Sequence, residues 1–218
     1  MHHELEALAD PDAVARAGAA FVAQRARDAV AARGDFLFAV SGGHTPWEMF
    51  AELASETVPW EHVIIYQVDE RVAPAADPDR NLVHLRKALG PAPAQVRPMP
   101  VEEPDLDRAA AGYAASLPES FDLVHLGLGP DGHTASLVPD DPVLTVTDRL
   151  VALTRPYQGR VRMTLTYPAL ARASQILWLI TGADKKDALS KLLAGDTSIP
   201  AGRVDAAASL VMADQAAV

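Results

Sequence analysis

Short apolar runs alternate with longer segments whose apolar residues recur at helical spacing. The short runs are typical of buried strands and the longer segments of amphipathic helices. Strands are predicted at 36–40, 63–68, near 96, 123–128, 150–154, 161–166, 175–181 and 210–212. Helices are predicted at about 10–33, 45–53, 81–90, 105–117, 167–173 and 184–193. This alternation predicts one α/β domain over 1–218, with a mostly parallel, Rossmann-like sheet and helices on both faces.

The segment SGGHTP, residues 41–46, connects the first predicted strand to a helix. Its glycines let the backbone approach a ligand and point N–H groups at it, and its hydroxyls add further donors. A plain strand-to-helix turn needs the same glycines and is the alternative interpretation. The candidate phosphate-binding residues are Ser41, Gly42, Gly43 and Thr45.

The helix after this loop has its own predicted start signal. Thr45 is expected to be the N-cap, Pro46 the first helical residue and Glu48 the reciprocal partner of a capping box. The glycine loop would then open directly onto a helix N-terminus, where partial positive charge favours an anion.

The most informative stretch is DLVHLGLGPDGHTASLVP, residues 122–139. It is predicted to be a buried strand that ends in a glycine-rich loop, and loops at the carboxyl ends of parallel strands commonly bind ligands. A histidine titrates near neutral pH, so His133 can take a proton from water, and Asp131 is close enough to fix its tautomer. The alternative is an ordinary polar turn.

Charged residues follow two other predicted strands. Asp69 and Arg71 belong to DER at the end of strand 63–68, where they either bind substrate or only pair with one another and with Glu70. Lys185 and Lys186 lie in the first turn of the helix at 184–193, where the helix dipole disfavours a cation unless an anion is present. We expect Lys185 to face such an anion and Lys186 to face water.

Composition limits the function classes. A hydrophobic content of 49% in 218 residues supports one core, and a formal charge of -10 disfavours nucleic acid or an anionic membrane as partner. The chain has no cysteine, no apolar run long enough to span a bilayer and no signal-peptide pattern, so we expect a cytoplasmic protein. The seven histidines form no recognisable metal site, and no cofactor is predicted.

Several motifs together resemble one known family. They are SGGHTP at 41–46, VDER at 68–71, LGLGPDGHTASLVP at 126–139, RVRMTLT at 160–166 and GADKKDAL at 182–189. Their order and spacing are similar to those of the 6-phosphogluconolactonases, which share a fold with the glucosamine-6-phosphate isomerase/deaminases. The phenylalanine-proline-glycine that usually ends the central motif is replaced by Val138, Pro139 and Asp140.

The resemblance implies a small phosphorylated sugar lactone as substrate, hydrolysed without metal or cofactor by a monomer or homodimer. It implies that His133 is the general base and Asp131 its orienting partner. Arg71 would bind the substrate or stabilise negative charge on it. The phosphate would bind to the 41–46 loop and Lys185, helped by Arg162 and Arg155.

Two alternatives remain open at this point. The isomerase/deaminases typically follow the DGH motif with a segment that carries a functional glutamate, whereas TASLVPDD contains none. A catalytically silent sugar-phosphate-binding protein would need only the phosphate loops, and the retention of both Asp131 and His133 argues against it.

Overall fold

The computed structural model describes residues 2–218 and contains ten strands and six α-helices within them. The strands are β1 (Glu4–Leu8), β2 (Phe36–Val40), β3 (Val63–Gln67), β4 (Asp69–Arg71), β5 (Gln95–Arg97), β6 (Leu123–Leu126), β7 (Val151–Leu153), β8 (Arg162–Leu165), β9 (Ile176–Ile180) and β10 (Ser209–Asp214). The helices are α1 (Pro11–Arg33), α2 (His44–Leu53), α3 (Asn81–Leu89), α4 (Leu106–Ser116), α5 (Tyr167–Leu170) and α6 (Lys186–Leu193).

Seven strands form a parallel sheet in the order β1-β10-β9-β6-β2-β3-β5. The predicted α/β class and mostly parallel sheet are therefore confirmed. The remaining strands form a small antiparallel sheet in the order β4-β8-β7. The strands predicted at 150–154 and 161–166 belong to this second sheet, which the pattern alone did not separate from the first.

The inner strands of the main sheet are buried on both faces. Adjacent residues of one strand pack into different apolar clusters: Leu177 lies in the cluster that contains α1 and α2, and Trp178 in the cluster that contains α4 and α6. Strands covered on both sides have no polar face, which explains the continuous apolar runs in the sequence. No helix among residues 2–218 is long and apolar enough to cross a bilayer.

Helix α1 packs closely because its buried face is made of small residues. Its N-terminus is capped by Asp10, which accepts a hydrogen bond from the backbone nitrogen of Ala13 at 2.8 Å. A Cβ atom added at Gly18 would lie 3.1 Å from Leu179 and 3.2 Å from Met49. The missing side chain brings α1 against both β9 and α2, and so helps to place the start of α2 beside the sheet.

Two predicted helix starts are wrong. Helix α2 begins at His44 with Gly43 as its N-cap, and Thr45 makes a 2.8 Å hydrogen bond with the hydroxyl of Thr181. No capping box forms, because Thr45 already lies inside the helix, and Glu48 instead approaches the His44 ring at 3.4 Å. Residues 183–185 form a 3₁₀ turn after Gly182, and α6 starts only at Lys186.

Candidate active site

The predicted polar loops converge on one cavity of about 350 Å³ at the carboxyl ends of β2, β3, β6 and β9. This volume is typical of a site for a small molecule. Among the residues predicted for the site, those lining the cavity are Ser41, Gly42, Gly43, Thr45, Asp69, Arg71, His133, Arg162 and Lys185. Asp131 contacts His133 from outside the lining, and Arg155 lies elsewhere.

His133 and Asp131 form a hydrogen-bonded pair at the edge of the cavity. The ring Nδ1 of His133 lies 2.5 Å from Asp131 Oδ1, and the backbone nitrogen of His133 donates to the same oxygen at 3.1 Å. Burial alone would raise the pKa of Asp131, but the hydrogen bonds and the nearby imidazole lower it below its ordinary value. An ionised carboxylate only accepts hydrogen bonds, so Nδ1 carries the hydrogen and Nε2 is left to accept a proton.

Glycine makes this arrangement possible at two positions. A Cβ atom added at Gly129 would overlap the ring of His133, so the imidazole occupies the space of the absent side chain. Gly132 has a φ of 81°, which favours glycine, and a Cβ there would lie 2.5 Å from Ile199.

The glycine loop presents unsatisfied donors to the cavity. Within residues 2–218, the backbone nitrogens of Gly42 and Gly43 donate to no backbone acceptor of the protein. The hydroxyl of Ser41 is buried and also has no partner in that part of the chain. Such donors at the start of α2 are suited to an anionic group.

Lys185 supplies a cation to the same cavity. Its side chain is 21% exposed and its Nζ lies 3.0 Å from Asp184 Oδ2. Lys186, the next residue, is exposed and does not line the cavity. Of the two lysines, Lys185 alone lines the cavity, and its contact with an anion stays a prediction.

Asp69 is buried between two arginines. Its carboxylate accepts a hydrogen bond from the Ser136 hydroxyl at 2.6 Å. Burial raises the pKa of Asp69, while Ser136, Arg71 and Arg162 oppose that rise. The arginines are paired across the small antiparallel sheet, Arg71 opposite Arg162, so both guanidinium groups reach one side of the cavity.

Asn81 connects these groups, and sequence reasoning missed it. Its Nδ2 donates to the backbone oxygen of Asp69 at 3.0 Å, and its Oδ1 accepts a hydrogen bond from Arg71. A Cβ atom at Gly42 would overlap the same side chain. Asn81 is the first residue of α3 after a polar loop, which by itself carries no sign of this role.

Glu70 does not pair with its neighbour's guanidinium, as one interpretation of the DER segment suggested. It is completely buried and lies 3.1 Å from the guanidinium of Arg80, which is 1% exposed. Its two carboxylate oxygens also accept hydrogen bonds from the backbone nitrogens of Arg71, Asn81 and Leu82. Glu70 thus connects β4 to the start of α3 beside the cavity.

The assignment of Arg155 to the phosphate site disagrees with the structure. Arg155 is exposed and lines a separate groove with Arg203 and Asp141. Its backbone nitrogen donates to Asp141 Oδ2 at 2.9 Å, which turns this part of the chain away from the cavity.

Among residues 2–218, no three His, Asp or Glu side chains are grouped as ligands of a metal ion would be.

Residues 9–212 match the model of a family described as glucosamine-6-phosphate isomerases/6-phosphogluconolactonase. The chain belongs to this family. Members similar to it include the 6-phosphogluconolactonase of Synechocystis sp., which is 37% identical over 187 residues, covering 79% of this chain and 78% of that protein.

Solved structures of the family agree with the fold. The crystal structure of 6-phosphogluconolactonase from Thermotoga maritima superposes with a TM-score of 0.88 at 26% identity, covering 98% of this chain and 100% of that one. A monomeric glucosamine-6-phosphate deaminase reaches a TM-score of 0.87 at 16% identity, covering 98% of each chain, and shows the shared fold alone.

Proposed function

We propose that this protein hydrolyses 6-phosphogluconolactone to 6-phosphogluconate, a reaction of the oxidative pentose phosphate pathway, with His133 as general base. The observation that carries the proposal is the His133–Asp131 pair, joined at 2.5 Å, beside a cavity that also holds Lys185 and a loop with free N–H donors. The names of the similar family members support the same activity.

Hydrolysis starts at the lactone carbonyl. Nε2 of His133 removes a proton from water as the water oxygen attacks C1, and Asp131 stabilises the imidazolium that forms. Arg71 donates a hydrogen bond to the resulting oxyanion. The bond between C1 and the ring oxygen then breaks, and the imidazolium returns the proton to that oxygen, so His133 ends the reaction neutral.

Binding at the far end of the substrate positions this carbonyl. The phosphate binds to the N–H groups of Gly42 and Gly43 and to Lys185, which together supply charge-assisted hydrogen bonds. Anchoring the phosphate converts binding energy into correct placement of C1 and therefore contributes to rate as well as to affinity. Asp69, which lines the cavity beside Arg71 and Arg162, accepts a hydrogen bond from a sugar hydroxyl.

All the groups assigned here belong to a single chain, so the proposed reaction requires no residue from a second subunit. No step is assigned to a metal ion, and we expect activity to survive treatment with EDTA. We also propose a cytoplasmic location, because the lack of cysteine fits a reducing compartment.

One assay tests the function. Freshly prepared 6-phosphogluconolactone is mixed with the protein and acid release is measured after subtraction of spontaneous hydrolysis. Turnover that requires His133 supports the proposal. Release of ammonia from glucosamine 6-phosphate would instead identify a deaminase, and binding of 6-phosphogluconate without turnover would identify a silent sugar-phosphate-binding protein.

A further inference from the structure

A tight hairpin between β7 and β8 reaches the active site through one aromatic residue. Tyr157 and Arg160 exchange backbone hydrogen bonds of 2.9 and 3.2 Å. The two residues between them, Gln158 and Gly159, have φ angles of 51° and 79°. Positive φ at both central positions is the geometry of a tight two-residue turn whose twist matches the strands, and it fixes the direction of Tyr157.

The ring of Tyr157 contacts two residues of the cavity wall. It meets the His133 ring edge to face, with the ring centroids 5.7 Å apart and an interplanar angle of 64°. The guanidinium carbon of Arg162 lies 4.9 Å from the centre of the same phenol ring. One side chain therefore touches both the proposed base and a cation on the other side of the site.

The hairpin is also held from its other side. Arg160 pairs with Asp77 at 2.8 Å and with Asp79 at 3.2 Å, both in the loop between β4 and α3. Arg162 donates a second contact, from its Nη2 to Gln158 Oε1 at 3.0 Å. The Arg160 pairs are partly exposed and do not involve the ring of Tyr157, so they can be removed separately from it.

The phenol is kept neutral in this position. Burial raises the pKa of Tyr157, the carboxylate of Asp131 raises it further, and Arg162 opposes the rise. A neutral phenol can pack beside the carboxylate of Asp131 without electrostatic repulsion.

We propose that Tyr157 is a positioning residue that holds the imidazole of His133 and the guanidinium of Arg162 in one arrangement. Tyr157 does not line the cavity, so it acts through these two residues and not on the substrate. The inference rests on the proposed lactone hydrolysis for its effect on rate, because small displacements of a general base reduce catalysis strongly.

The test compares aromatic and non-aromatic side chains at position 157. Tyr157→Phe keeps the ring and removes the hydroxyl, whereas Tyr157→Leu and Tyr157→Gln remove the ring. We expect Phe to keep kcat within about twofold of wild type, and Leu and Gln to lower kcat by about tenfold. Tyr157 is only partly buried, so at least one non-aromatic variant is expected to fold.

A control variant separates the ring from the hairpin as a whole. Arg160→Gln removes the anchor to Asp77 and Asp79 without touching His133, and its kcat should stay within about twofold of wild type. Carbon-13 relaxation of the His133 imidazole in the substrate-free protein gives a readout that needs no activity. Its order parameter should fall in Tyr157→Leu and Tyr157→Gln and stay unchanged in Tyr157→Phe and Arg160→Gln.

Three results would overturn the inference: a fully active Tyr157→Leu with an unchanged imidazole order parameter, a Tyr157→Phe as impaired as Leu, or an Arg160→Gln as impaired as Leu. If wild type itself fails to hydrolyse the lactone, the proposed function is wrong. In that case the imidazole relaxation still decides whether Tyr157 restrains His133.

Discussion

Asp131 Oδ1 accepts two hydrogen bonds from His133, one from the ring Nδ1 at 2.5 Å and one from the backbone nitrogen at 3.1 Å. The backbone bond sets the distance between the two residues, and the ring bond sets the tautomer. Because the pKa of Asp131 lies below its ordinary value, the carboxylate is ionised at neutral pH. The pair is therefore ready to accept a proton before substrate binds.

His133→Asn should lower kcat by about 10²- to 10⁴-fold with little change in KM, since it removes the proton acceptor and leaves the phosphate site intact. Asp131→Asn should reduce kcat less, because it disturbs only the orientation of the imidazole. Steady-state kinetics on the lactone measure both. An His133→Asn enzyme within threefold of wild type would remove His133 from the mechanism.

Gly129→Ala should lower the activity of the enzyme without unfolding it. The new Cβ would overlap the His133 ring and lie 2.8 Å from Asp131 Oδ1, so the imidazole must move away from its place. We expect kcat to fall at least about tenfold. Gly112→Ala is the control, because nothing lies within 4 Å of an added Cβ there, and it should keep full activity. Equal activity of the two variants would contradict the described position of His133.

Lys185→Gln should lower kcat/KM by about 10- to 100-fold, since one charge-assisted contact to the phosphate is lost. Its free energy of unfolding should change little, because the partner Asp184 is an exposed residue. Lys186→Gln, which alters an exposed neighbour, should match wild type. Inorganic phosphate should inhibit wild type competitively and Lys185→Gln much less. If neither substitution lowers kcat/KM, the phosphate binds elsewhere. Arg162 is then the candidate, because it also lines the cavity.

Glu70→Gln should destabilise the protein by roughly 3 kcal/mol, because it leaves the buried guanidinium of Arg80 without its buried carboxylate. Glu102, 3.0 Å from Arg80, limits the loss. Urea unfolding followed by circular dichroism measures the change. Arg149→Gln breaks the exposed pair with Asp148 and should have no measurable effect on stability. A Glu70→Gln protein as stable as wild type would show that the Arg80 charge is compensated in another way.

His125→Leu should make stability less dependent on acid. His125 is completely buried in β6, neither ring nitrogen has a partner within residues 2–218, and burial lowers its pKa to about 3. The unfolded chain takes up a proton near pH 6.5, so wild type loses stability as pH falls from about 6.5 towards 3. The variant lacks this loss. Its free energy of unfolding relative to wild type should therefore increase by about 1.4 kcal/mol for each pH unit below 6.5, or by roughly 2 kcal/mol at pH 5. Parallel pH curves for the two proteins would contradict this.

The positions of His133, Lys185 and the glycine loop could be predicted because strand pattern alone places loops after parallel strands at one edge of a sheet. The contacts of Asn81 and Tyr157 could not be predicted, since they join chain segments that meet only after folding. Arg155 and Arg162 look equivalent in sequence, but Arg162 lines the cavity and Arg155 lines a separate groove. The hairpin between them reverses the chain, and the sequence pattern did not predict this. Strand β1 was missed because most of its residues are exposed, and β4 because it is short and charged.

The order of strands in the main sheet has a consequence for protein synthesis. Strand β6 is followed by the loop that contains His133. It pairs with β2, which is made before it, and with β9, which is made some fifty residues later. Until β9 has been made, up to Ile180, a nascent chain can pair β6 with β2 alone. Lys185 is made after β9. Catalytic competence should thus emerge only after both β9 and Lys185 have been made. Ribosome-bound chains stalled before β9 would contain the proposed base yet remain unable to retain sugar phosphate.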